Sequence, residues 1–211
     1  MTRQIIFPYK LYLVISEADC KGRNFLEVAE QAVLGGVDIV QLREKTESLD
    51  KFIRKAVQLK EITDRYQIPL IINDSLEVAE HVYASGIHVG NSDLAPAEIR
   101  KHWNNSKCIG YSIEFIEQLK NEQTAVADYL GISPVFKTAT KSDTITEWGL
   151  DGISKIRALT DKPLVAIGNI HLHNAKSVLN AGADCIAVVS AICSADSPQK
   201  AAYKIKNELL K

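Results

Sequence analysis

Eight short apolar runs alternate with longer segments of helical period along a chain of 211 residues, and this predicts an α/β fold, a single (β/α)8 TIM barrel spanning 1–211. The count decides between the parallel α/β architectures, because a doubly wound sheet has five or six strands whereas an eightfold repeat closes on itself. The length agrees, being near the ~200-residue lower limit for such a barrel, so connections must be short. A third observation is that polar side chains gather just after the apolar runs, on the face where these barrels carry their sites.

The runs are LYLVI at 11–15, DIVQL at 38–42, PLIIN at 69–73 and GIHVG at 86–90. They continue with KCIGY at 107–111, DYLGI at 128–132, PLVAI at 163–167 and CIAVV at 185–189. Near-continuous apolar runs of this length are what strands buried on both faces require. Between them, 49–66 places Leu49, Phe52, Ile53, Ala56 and Leu59 at helical steps, with Lys and Glu opposite and Ser48 as N-cap. The helical segments 24–34 and 174–181 each end at a glycine, Gly35 and Gly182, expected as C-caps.

Composition bounds the function. Apolar residues make up 46% and charged residues 24%, and 25 basic residues balance 26 acidic ones. Such a chain is globular, with no general basic field for a nucleic-acid backbone or an anionic membrane. The four cysteines, Cys20, Cys108, Cys185 and Cys193, form no C-x-x-C pair and sit in apolar surroundings, as free thiols of a reducing cytosol would. No window reads as a signal peptide or membrane span, so the expectation is a soluble, cytoplasmic protein. Its partners should be small-molecule substrates, not nucleic acid or membrane, and a homo-oligomer is compatible with the sequence.

At the ends of the runs stand Gln41, Arg43 and Lys45; Asn73 and Asp74; Asn91 and Asp93; Ser112; Thr138, Thr140 and Lys141; Gly168 and Asn169; and Val189 and Ser190. Each alone has a plain explanation. Asn73-Asp74-Ser75 before a helix reads as an Asx turn and cap, Asp93 as a turn residue, and Arg43, Lys45 and the Thr138–Lys141 stretch as solvated loops. Their convergence on one face argues for a site. Arg43, Lys45 and Lys141 suit an oxygen-rich anion, with Glu44 alternating away on an extended segment. Asp74 and Asp93 fit Mg²⁺, which is held by one or two carboxylates and completed by substrate phosphates. Gly168 and the Val189-Ser190 backbone follow the last two strands, where barrels build phosphate sites from N–H groups. His88 reads as a barrel-interior residue, His171 and His173 as a solvated turn, and Tyr111 and Trp148 as packing residues. No Ser-His-Asp order, GxSxG elbow or GxGxxG turn is present.

The ordered set LYLV, QLREK, IIND, GIHVGNSDL, TATK, AIGNI and AGADCIAVVSAI resembles the thiamine-phosphate synthase family over 11–192. The resemblance implies a transferase that condenses a hydroxymethylpyrimidine diphosphate with a thiazole phosphate to give thiamine monophosphate and diphosphate. It also implies that Gln41, Arg43, Lys45, Asn73, Ser112 and Lys141 face the pyrimidine diphosphate, with Arg43, Lys45, Ser112 and Lys141 acting in catalysis. Asp74 and Asp93 would hold Mg²⁺, and Thr138, Thr140, Gly168, Asn169, Val189 and Ser190 would lie on the thiazole phosphate side. The chemistry implied is dissociative: the bond to diphosphate breaks first, and the thiazole nitrogen attacks the pyrimidinylmethyl cation.

Four positions depart from the family pattern: Asn169 replaces a second glycine, Asn91 a Gln, Ser85 a common Asp and Ser133 a common Gly. Two rival readings differ from this one at particular residues. A thiazole tautomerase relative typically carries a histidine just after the fifth strand, where YSIEF has Glu114. A non-catalytic paralogue that binds thiamine precursors would have lost Lys141 or a metal carboxylate, and all are present.

Overall fold

A computed structural model describes residues 7–103, 107–137 and 146–211. The eight runs form eight strands: β1 (Leu11–Ile15), β2 (Ile39–Leu42), β3 (Leu70–Asn73), β4 (Gly86–Val89), β5 (Cys108–Ile113), β6 (Tyr129–Ile132), β7 (Leu164–Ile167) and β8 (Cys185–Val188). Each pairs in parallel with the next, and β8 returns to β1, so the sheet is a closed barrel. The helices are α1 (Phe25–Leu34), α2 (Leu49–Arg65), α3 (Leu76–His81), α4 (Pro96–His102), α5 (Glu122–Val126), α6 (Gly149–Arg157), α7 (Ala175–Asn180), α8 (Ser190–Cys193) and α9 (Pro198–Leu209). Among the described residues, no helix is long and apolar enough to cross a membrane.

Strand alternation builds two cores. Leu11, Leu13, Ile15, Val40, Leu42, Ile72 and Ile87 point outward into the layer shared with the helices. Tyr12, Val14, Ile39, Ile71, Tyr129, Val165, Cys185 and Ala187 point inward and fill the barrel. Burial on both faces is why the strands read as continuous apolar runs. The cysteines are free, three of them buried and Cys108 partly so. Tyr111 and Trp148 are buried in the outer core, as packing residues.

Two helix-end expectations change. Ser48 occupies the N-cap position of α2, but its side chain accepts no capping bond. Gly35 ends α1 at φ −82, and it is Gly36, at φ 99, that takes the left-handed turn. Gly35 serves packing instead: a Cβ there would lie 2.7 Å from the Ala202 Cβ and against the Gln199 carbonyl. Its missing side chain lets α9 come down on α1 after the barrel closes.

The face opposite the polar strand ends carries a repeated clip. Asp38, just before β2, accepts the N–H groups of Lys10 and Leu11 at 2.8 and 2.9 Å and pairs with Lys206. Asp128, before β6, accepts the Ile109 N–H at 2.8 Å and pairs with Arg100. Asp184, before β8, accepts the Leu164 N–H at 2.8 Å and pairs with Arg157. Each thereby satisfies an N–H at the start of the preceding strand. In each case the aspartate's own N–H donates to the carbonyl of the same residue, Leu11, Ile109 or Leu164. Sequence reading takes these residues for plain turns.

Before β4 the corresponding position is Ser85, whose N–H donates to the Leu70 carbonyl at 2.8 Å in the same way. No side-chain bond from Ser85 to the Leu70 N–H forms. Ser85→Asp should therefore complete the fourth clip and stabilise the protein by about 1 kcal/mol, raising Tm by roughly 2–4 °C. Denaturant and thermal melts of the two proteins at neutral pH check this, with no gain expected once the new carboxylate is protonated.

Candidate active site

The polar strand ends open on a cavity of about 300 Å³. Gln41, Arg43, Lys45, Asn73, Asp74, Asp93 and Ser112 line it from the arc of β2 to β5, and Gly168, Asn169, Val189 and Ser190 from β7 and β8. The structure thus brings eleven of the fourteen sequence-predicted residues to one cavity. Thr138, Thr140 and Lys141 lie outside the described residues.

The connection after β2 is held from behind. Lys55 on α2 meets Glu17, Glu44 and Glu47 at 2.8, 3.3 and 2.9 Å, and Glu44 also accepts the Glu17 N–H at 2.9 Å. Glu44 is turned away from the cavity, as alternation required, and its anchoring fixes the backbone between Arg43 and Lys45. Lys45 reaches across to pair with Asp74.

Asp74 sits in the left-handed region at φ 63, at the centre of a turn closed by the Ser75 N–H on the Asn73 carbonyl at 2.8 Å. A non-glycine residue in that conformation is uncommon and costs energy that the surroundings must offset. The N-cap of α3 is Ser75, whose hydroxyl accepts the Val78 N–H, so capping does not occupy Asp74. Asp93 accepts the Gly90 N–H at 2.8 Å and stands close enough to Asp74 for the two carboxyls to act on each other. Burial, reinforced by Asp93, pushes the Asp74 carboxyl up to about 6 against the pull of Lys45. Burial works in the same direction on Asp93, but the bonds from Asp74 and Gly90 and the charge of Lys45 outweigh it and hold that carboxyl low. The two carboxyls therefore titrate apart, Asp93 ionising first and Asp74 holding its proton up to about 6, as neighbouring acids do.

On the opposite arc, Gly168 has φ 119, and a Cβ there would lie 2.6 Å from the Pro134 Cβ and 2.8 Å from the Val135 nitrogen. Asn169 follows at φ 49, a left-handed conformation that Asn tolerates better than most side chains. Its carbonyl accepts the Asn174 amide at 3.0 Å, and Asn174 also accepts the His171 N–H at 2.8 Å. His171 and His173 are exposed beside this turn.

Sequence reasoning missed the floor of the cavity. Gln41 Nε2 donates to Tyr12 Oη at 2.8 Å, and Tyr12 Oη lies 3.1 Å from Tyr129 Oη. Tyr129 Oη lies 3.0 Å from His88 Nδ1, and His88 Nε2 lies 2.9 Å from Ser112 Oγ. Five side chains from β2, β1, β6, β4 and β5 thus form one hydrogen-bonded chain across the barrel interior. Ser112 lies within β5, facing inward, and not beyond its end. Room for the chain comes from two inward glycines. A Cβ on Gly110 would fall within the Tyr129 ring and 2.5 Å from His88 Nδ1, and one on Gly131 would lie 2.9 Å from His88 Cε1.

Comparison with known proteins follows this geometry. Residues 11–192 match the family described as thiamine monophosphate synthase. A thiamine-phosphate synthase of Albidiferax ferrireducens is 44% identical over 93% of this chain and 90% of its own. One of Leptospira biflexa is 42% identical over 94% and 96%. Among solved structures, a thiamine phosphate pyrophosphorylase from Pyrococcus furiosus superposes with a TM-score of 0.87 at 30% identity, covering 96% of each chain. A 3-hexulose-6-phosphate synthase shares the fold alone, with a TM-score of 0.69 at 15% identity.

The glycine pair yields a direct test. Gly110→Ala forces a methyl into the Tyr129 and His88 rings, and overpacking of this kind costs about 1–3 kcal/mol. Urea unfolding should show that loss as a lowered midpoint.

Proposed function

The chain belongs to the thiamine monophosphate synthase family, and from that premise we propose how its cavity carries out the transfer. It is a transferase that makes thiamine phosphate from a hydroxymethylpyrimidine diphosphate and a thiazole phosphate, and the whole of 1–211 works as one barrel domain. The observation that carries the reading is the gathering of cations, carboxylates and Ser112 on the β2–β5 arc, facing an uncharged turn pair on the β7–β8 arc.

On the first arc, Arg43 offers a planar fork and Lys45 a mobile point charge to diphosphate oxygens. The family resemblance adds Lys141 to this set and gives Thr138 and Thr140 to the thiazole phosphate. These groups act on charge that grows as the C–O bond breaks and the electron pair leaves with the diphosphate. The pyrimidine ring stabilises the methylene cation that remains. On the second arc, the Gly168-Asn169 turn and the first N–H groups of α8, beside Val189 and Ser190, take the thiazole phosphate. That anchoring sets the thiazole nitrogen next to the cation, so attack needs no side-chain nucleophile.

Asp74 and Asp93 fit Mg²⁺. Both carboxyls line the cavity side by side, and among the described residues no third ligating side chain joins them, as suits an ion that takes its other oxygens from phosphate and water. When bound there, Mg²⁺ would neutralise charge on the departing diphosphate. Lys45, now paired with Asp74, would be released towards the substrate.

Incubation of the purified chain with both substrates should yield thiamine monophosphate and diphosphate in equal amounts, and absence of product with Mg²⁺ present would overturn the reading. Asp74→Ala and Asp93→Ala should each lower turnover by orders of magnitude while the protein stays folded, and activity persisting in chelator would remove the metal. Because protons and metal compete for a carboxyl titrating at about 6, Mg²⁺ affinity should fall roughly tenfold per unit as pH drops below that value and level off above it. On the other arc, Asn169→Gly should change thiazole phosphate affinity by no more than about tenfold, since the left-handed backbone is already in place. Titration of each substrate against both proteins checks that pyrimidine diphosphate binding stays the same.

A further inference from the structure

The chain across the barrel interior has a direction. We propose that Gln41, Tyr12, Tyr129 and His88 form a one-way hydrogen-bond relay that holds His88 as the neutral Nε2–H tautomer and aims the Ser112 hydroxyl hydrogen into the cavity. Tyr12, Tyr129 and His88 are then positioning residues, acting on substrate through Ser112. The inference rests on the reading that Ser112 faces the diphosphate-bearing substrate.

With Gln41 Nε2 facing Tyr12, counting hydrogens gives the direction. An amide nitrogen only donates, so Tyr12 Oη accepts from Gln41 Nε2 at 2.8 Å. Tyr12 must then spend its one hydrogen on Tyr129 Oη, 3.1 Å away. Tyr129 has one hydrogen left to give, and the remaining neighbour is His88 Nδ1 at 3.0 Å. A nitrogen that accepts is unprotonated, so the imidazole carries its hydrogen on Nε2 and donates to Ser112 Oγ at 2.9 Å. The Ser112 hydrogen has no place in the relay and is free for the cavity. Burial pushes both phenols up, so each keeps the hydrogen that the count assigns to it.

Turning the Gln41 amide over would reverse every bond: Tyr12 would donate to Gln41, and Ser112 would spend its hydrogen on His88 Nε2. The ligand chemistry selects between the two. A diphosphate has only acceptor oxygens, so only the first direction gives Ser112 a hydrogen bond to make. The missing Cβ atoms of Gly110 and Gly131 are the second observation, because both clearances border His88 or Tyr129. The barrel gives up two side chains to keep these rings in line.

The experiment uses the intact enzyme. Long-range ¹H–¹⁵N correlation spectra of protein labelled at its five histidines, assigned by comparison with His88→Asn, should show His88 protonated on Nε2 alone. An Nδ1-protonated ring or an imidazolium would overturn the relay, and this result stands whether or not the protein is active. The second measurement is a double-mutant cycle. Tyr129→Phe should lower kcat roughly tenfold, the effect of one hydrogen bond to a charged acceptor, yet change kcat less than twofold in a Ser112→Ala background. Equal losses in both backgrounds, at matched melting temperatures, would mean that Tyr129 merely packs. Failure of the wild type to couple its substrates would sink the functional reading while leaving the histidine tautomer to decide the relay.

Discussion

A closed eight-stranded barrel has a fixed and small interior, and here that interior must hold polar rings. Tyr12, Tyr129 and His88 occupy space that such barrels usually fill with branched aliphatic side chains. Two conditions make this possible. The polar atoms must satisfy one another, since a buried hydroxyl without a partner costs about 1–3 kcal/mol. The neighbouring inward positions must also vanish, which they do at Gly110 and Gly131. The cavity above is polar at its floor because of this exchange, and the strand ends that rim it inherit their spacing from the same closure.

The two ends of the barrel divide labour. At one end Asp38, Asp128 and Asp184 accept N–H groups at the starts of neighbouring strands and are themselves neutralised by Lys206, Arg100 and Arg157. At the other end the charges face an open cavity and are only partly matched. Burial and Asp93 push the Asp74 carboxyl up, and Asp74 is kept in a left-handed turn. Matched charge stabilises the fold where nothing needs to bind, and unmatched charge is kept where substrate supplies the complement.

The architecture and most of the rim were legible in the sequence because both are local signals: apolar runs of strand length, and the residue types that follow them. Register was not. LYLVI and DYLGI are apolar on both faces, so no alternation marks Tyr12 or Tyr129 as inward. The need for glycine at 110 and 131 arises on neighbouring strands, from atoms of His88 and Tyr129. The aspartates before β2, β6 and β8 look like turn residues until the preceding strand is placed beside them. Asn169 shows the converse, a departure from the family pattern whose tolerance of positive φ could be reasoned from the side chain and is seen at φ 49. Thr138, Thr140 and Lys141 rest on the sequence pattern alone.

The aspartate clips also partition the polypeptide. Each joins an odd-numbered strand to the segment leading into the next even-numbered one, tying β1 to β2, β5 to β6 and β7 to β8. None crosses from an even strand to the following odd one. The barrel is thus stitched in pairs, four two-stranded quarters of which one, β3 with β4, has lost its stitch at Ser85. Natural seams fall between the quarters: new termini opened between β2 and β3, β4 and β5, or β6 and β7 would leave every stitch within a continuous stretch of chain, whereas a cut inside a stitched pair would turn a local bond into one between distant ends.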